Sequence, residues 1–133
     1  MGKLRASAHQ LEKLRHDVRV RSHTITADEP RDHGGEDSGP SPQELLAASL
    51  ASCVAITMEM YAKRKHWDVA GLRVDVEYMP AERGHPTKFD VVMKMPAHLS
   101  EEQVERLSVI AAKCPVHRTL EGEVAYDERV ELA

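Results

Sequence analysis

Aromatic side chains are nearly missing from this chain of 133 residues: one Trp, one Phe and three Tyr, 4% of the total. That scarcity removes the stacking platforms on which single-stranded nucleic acids are held. Six Met and many Ala, Val and Leu are left to fill a core. An excess of positive charge is missing too. A net charge of −4 and a pI of about 6.0 do not favour a phosphate-binding surface, so no nucleic-acid partner is expected. No uninterrupted run reaches the roughly 18 apolar residues that a membrane span needs. The opening MGKLRASAHQLEKLRH has no apolar signal core, so a cytoplasmic location is expected. Cysteine is limited to two residues, with no His-Glu-x-x-His and no paired Cys-x-x-Cys. Neither a metal nor a cofactor is therefore expected. In a reducing compartment, two thiols suit a working redox cycle better than a static disulfide.

The length fits one domain. Residues 1–15 read as a polar, basic N-terminal extension (a short helix, an edge segment or a disordered stretch), and 16–133 as the domain. His16 to Ser22, HDVRVRS, alternates with Val18 and Val20 on one face, and Thr24 to Ala27 can pair with it after a tight turn near Ser22 and His23. Residues 28–42, DEPRDHGGEDSGPSP, form a long Pro- and Gly-rich loop, of the kind that tends to be functional or mobile. Ser41, Pro42 and Glu44 then make a capping box with proline at the first helical position, opening a helix that runs to about Lys65. LRVDVEYM and TKFDVVMKM alternate as two half-buried antiparallel strands around PAERGHP. Ser100 and Gln103 cap a second helix that breaks at Pro115. A short helical turn, His117 to Glu121, and a last strand, EVAYDERVEL, complete the order β-β-α-β-β-α-(α)-β. The fold class is α+β. The first helix is apolar nearly all round, which suits a central position covered by a partner subunit.

The two cysteines carry the chemistry. On a wheel of about 100° per residue, Leu46, Ser49, Leu50, Thr57 and Met60 share the side of Cys53. Cys53 thus faces the apolar stripe, and a small buried hydrophobe is its plainest role. Cys114 stands at a helix break with His117 and Arg118 close behind, and a cationic neighbour would favour thiolate.

GPSPQELLAASLASC (residues 39–53) and KCPVHRTLEG (residues 113–122), with a hairpin and a helix between them, resemble the OsmC/Ohr family of osmotically inducible and organic-hydroperoxide-resistance proteins. The resemblance covers roughly residues 16 to 132 and is nearer the less-characterised branch. It implies an OsmC-like fold in an intertwined homodimer with sites at the subunit interface. It also implies a thiol peroxidase in oxidative-stress defence, with Cys53 as attacking and Cys114 as resolving thiol. The expected partners are a hydroperoxide and a dithiol reductant, lipoyl-type in the best-understood branch. The family's arginine matches Arg21 best, with Arg19 as alternate, and strand alternation puts both on one face, opposite Val18 and Val20. The family's glutamate, ten residues before the first cysteine, is Gln43 here. Glu44 is next to it but lies about 180° from Cys53 on the wheel, against about 80° for Gln43. Glu36 and Asp37 are further carboxylates in the preceding loop. Leu46, Leu50 and Met60 are candidates for an apolar entry, with core packing the plainer role. Gln43 also leaves room for a second class of function, a non-catalytic protein that binds a small apolar ligand. A redox sensor is a third.

Overall fold

Two tight turns build the first sheet. In the computed structural model, which describes residues 2–132, strands β1 (Ser7–Glu12), β2 (Arg15–Val20) and β3 (His23–Ala27) pair antiparallel in that order. Glu12 pairs with Arg15 and Val20 with His23, so each connection is two residues long. The first residue of each, Lys13 and Arg21, has a left-handed φ of 54°, as a two-residue hairpin demands. Of the forms left open for residues 1–15, the structure shows the edge segment: Ser7–Glu12 is an edge strand paired to β2. One expectation changes. The turn falls at Arg21 and Ser22, so Arg21 leaves the strand and does not share the face of Arg19 by alternation.

The loop after β3 is organised by one buried carboxylate. Asp28 is 2% exposed and accepts hydrogen bonds from the backbone N–H groups of Glu29, Glu36 and Ser38 and from the Ser38 hydroxyl (2.6 Å). The Asp28 N–H donates to Pro40 O at 3.1 Å and closes the loop's ends. A Cβ on Gly35 would stand 1.9 Å from Glu29 O, and one on Gly39 2.4 Å from Thr26 O. Only glycine fits at either position.

Helix α1 (Pro42–Lys65) starts as its sequence dictates. Ser41 N–H donates to Glu44 Oε1 (2.9 Å), and Glu44 N–H donates to Ser41 Oγ (3.2 Å). It ends in a Schellman motif: His66 holds φ +59°, Trp67 N–H donates to Ala62 O and His66 N–H to Lys63 O. By length and composition alone α1 could cross a membrane. Its buried residues Leu50, Val54, Met58, Tyr61 and Ala62 instead form one core with Leu107, Ala111 and Cys114.

The chain makes two compact units, up to Ala48 and from Ser49 onward, and the division falls inside α1. In the second unit, β4 (Arg73–Met79) and β5 (Lys88–Lys94) form a hairpin in which Tyr78 pairs with and stacks on Phe89, centroids 4.7 Å apart. Val74, Val76, Phe89, Val91 and Met93 pack on the core, the face that the alternation predicted. Helix α2 (Glu101–Ala111) carries the full Ser100–Gln103 capping box. Pro115 does break it, and by occupying the first helical position begins α3 (Pro115–Glu121). The expected last strand does not form: residues 123–132 are without secondary structure, and Val124, Tyr126, Val130 and Leu132 are exposed. A strand needs a ladder partner for its backbone, and this segment has none among the described residues.

Candidate active site

Folding brings the two cysteines together. Cys53 sits half-buried on α1, packed against the core cluster that contains Cys114. Cys114 is completely buried and caps α3, its Sγ accepting the His117 backbone N–H at 3.3 Å. Both are free thiols. Burial, above all, pushes the Cys114 thiol up, the His117 N–H offsets part of that rise, and the influence of Cys53 adds to it. The cationic help expected from His117 takes another form. Its Nδ1 lies 2.7 Å from Glu121 Oε1, without the alignment of a hydrogen bond, so the ring turns to Glu121 and only its backbone N–H reaches the sulfur.

The other candidates lie in the first unit. Arg21 is exposed in its turn. Arg19 is exposed and stands 3.8 Å from Asp17 Oδ2. Gln43 is exposed in the first turn of α1. Glu44 is held by the cap it makes, and donation from Ser41 lowers its pKa. Glu36 is engaged by Lys13 Nζ, which lowers its pKa while raising that of Lys13. Asp37 is exposed with φ +56°. Two first-unit residues escaped the sequence reading. Arg15 is half-buried, and its Nε is buried without a hydrogen-bond partner among the described residues. Asp28 is the hub of the loop, held at a pKa of about 2 first by the Ser38 hydroxyl and then by backbone N–H groups, against burial. An Asp ten residues before a Ser in a Gly-rich loop is no recognisable signal, and buried guanidinium atoms leave none.

An apolar pocket of about 530 Å³ also lies in the first unit, lined by Leu14, Val18, Ala27, Pro42 and Leu45 with His16 at its wall. It is not the entry proposed from sequence: Leu50 belongs to the core and Met60 is 64% exposed. Among the described residues no group of three or more His, Cys, Asp or Glu could hold a metal ion.

The model of the OsmC-like protein family matches residues 35–129, well over half the chain and both cysteines, and the chain belongs to that family. Solved structures share its fold. A Psychrobacter arcticus protein, provisionally described as an osmotic stress induced and detoxification response protein, superposes with a TM-score of 0.78 at 24% identity, covering 90% of this chain and 89% of its own. The OsmC-like protein of Mycoplasma pneumoniae gives 0.75 at 20%, with 91% and 89% covered. The organic hydroperoxide resistance protein OhrB of Bacillus subtilis gives 0.61 at 20%, with 91% and 92% covered. At such identities the likeness shows the fold. No match is found among curated proteins.

Proposed function

We propose that this chain is a cysteine-based peroxidase that reduces organic hydroperoxides. The observation that carries the reading is a half-buried free thiol packed against the apolar cluster that contains a second, fully buried free thiol. In the proposed cycle the Cys53 thiolate attacks the O–O bond and becomes a sulfenic acid, releasing an alcohol. Cys114 then condenses with it to a disulfide and water. A dithiol reductant, lipoyl-type in the family, resets the pair in the cytoplasm. Arg21 is the proposed partner of the thiolate, and Gln43 or Glu44 its support. A homodimer is part of the reading: Ile56 and Met60 leave a second face of α1 exposed, and the segment 123–132 has the alternation of a strand without forming one. With excess dithiol, wild type should consume cumene hydroperoxide and Cys53→Ser should not. Equal consumption by the two would sink the peroxidase reading.

The 530 Å³ apolar pocket and Gln43 support a second reading, a carrier of a small apolar ligand. Native mass spectrometry separates the two: a co-purifying ligand on a protein whose thiols ignore hydroperoxide supports the carrier.

A further inference from the structure

We propose that the pocket between the end of α1 and α2 binds a small organic monoanion, a carboxylate carrying an apolar body. The pocket measures about 810 Å³, and Tyr61, Lys65, Trp67, Arg106 and Val109 are in its wall. That volume is within the range of small-molecule sites. Three cations gather on Tyr61. The ends of Arg64, Lys65 and Arg106 lie 5.6, 5.7 and 5.6 Å from its ring centroid, where the negative face of the ring attracts them. None of the three forms an ion pair among the described residues. Arg106 has Glu102 four residues before it on α2, the usual spacing for a pair on a helix face. It donates instead from Nε to the Tyr61 hydroxyl at 2.9 Å. That hydroxyl accepts from Arg106 and keeps its own proton to give. The bond from Arg106, and then the charges of Arg106, Lys65 and Arg64, lower its pKa against the effect of burial, which makes it a stronger donor.

One O–H, the remaining N–H groups of Arg106 and the Lys65 ammonium are thus gathered at one wall, and no carboxylate of the chain takes them up. They fit a carboxylate, since hydrogen bonds between ionised partners are the strong ones. The charge balance selects the kind of anion. Glu102 and Glu105 line the same pocket and are in no ion pair either among the described residues. Three cations against two carboxylates leave one net positive charge, which matches a monoanion and repels the excess charge of a polyanion. Trp67 and Val109 select the rest of the ligand. Trp67 is half-buried and meets Tyr61 edge-on, centroids 5.7 Å apart, and Val109 is 46% exposed. Both gain when a carbon body covers them. Tyr61 stands eight residues beyond Cys53 on α1, about 12 Å along its axis, so the site holds or fails without the peroxidase reading.

Trp67 is the one Trp of the chain, and its fluorescence reports the site. The probe is 3-phenylpropionate, titrated into the full chain at constant ionic strength, with the neutral 3-phenylpropionamide as control. The carboxylate should give a saturable change with a Kd of about 1 mM or tighter, and the amide should bind about tenfold more weakly or not at all. Arg106→Gln and Lys65→Gln, both at exposed positions, should each weaken the carboxylate about tenfold at unchanged Tm. If Arg106→Gln does not fold, Lys65→Gln decides alone. Inorganic phosphate should not displace the probe. Equal binding of carboxylate and amide would overturn the proposal and leave a plain apolar cleft. Wild-type affinity in the folded variants would overturn it too, as would displacement by phosphate or the lack of a saturable change up to about 10 mM.

Discussion

Each of the two compact units has its own kind of internal chemistry. Both buried polar residues among those described, Asp28 and Ser41, lie in the unit up to Ala48, together with the two glycines that have no room for a Cβ. All but one of the buried apolar residues lie in the unit from Ser49, where Leu50, Met58 and Leu107 are the largest of those fully buried. One unit is shaped by donors converging on a carboxylate, the other by apolar volume. They should therefore fail differently. A core fails when volume is removed, and a loop wound around a carboxylate fails when volume is added or charge neutralised. The thiols sit on the apolar side of this division, where burial pushes the thiol of Cys114 up.

The largest effect is expected in the second unit. Leu107 is fully buried at the centre of the cluster. Leu107→Ala should cost about 2–5 kcal/mol, from lost transfer energy and the cavity left behind. The check is the urea midpoint at unchanged slope, and a loss under about 1 kcal/mol would mean the core closes over the gap. Next comes Gly35→Ala, which removes nothing and adds one methyl group 1.9 Å from a backbone carbonyl. Crowding of that kind costs about 1–3 kcal/mol. Hydrogen exchange should show the loss of protection confined to residues 28–40, with α2 unaffected. Loss spread evenly over both units would contradict the contrast between them.

Acid should distinguish the units again. Asp28 titrates at about 2 when folded, against roughly 3.9 for an unfolded aspartate. A depressed folded value means the contribution is fully present above the unfolded pKa. It is lost as pH falls from about 4 towards 2, because the unfolded chain takes up the proton first. Wild type should lose thermal stability over that window, and Asp28→Asn, less stable at neutral pH, should show a flatter profile. Parallel profiles for the two proteins would remove Asp28 from the account.

The sequence displayed what is local and periodic. Both capping boxes, the alternation of β4 and β5, the break at Pro115 and the apolar stripe of α1 are set by neighbours a few residues apart. The meeting of Cys53 and Cys114 was legible only through two motifs taken together, since 61 positions separate them. What escaped was decided at longer range or by absence. The pinning of the loop needs Asp28 to meet groups eight and ten residues on. Residues 123–132 have the alternation of a strand, but a pattern states only which face would be buried, and pairing requires another strand beside it. Arg21 was placed on a strand face because alternation carries no mark of the residue at which a hairpin turns.

The smallest effect compares one backbone feature in both units. His66 and Arg21 each hold a left-handed φ, +59° and +54°, which costs a non-glycine residue about 1–2 kcal/mol. Glycine removes that cost, but its freer unfolded chain takes back about 0.4–1 kcal/mol. The balance is a net gain of roughly 0.5–1 kcal/mol at either position. His66 only closes the end of α1, so His66→Gly should raise the melting temperature and leave hydroperoxide consumption unchanged. Arg21→Gly should give the same stabilisation, since the turn geometry is the same kind. Its effect on activity decides the role of the residue. If the guanidinium serves the thiolate, stability rises while consumption falls, and Arg21→Lys restores only part of it, because an ammonium lacks the planar fork. A variant that gains stability and keeps full activity would show that Arg21 is a turn residue alone, and would move the search for the site's cation to Arg15, whose buried Nε has no partner among the described residues.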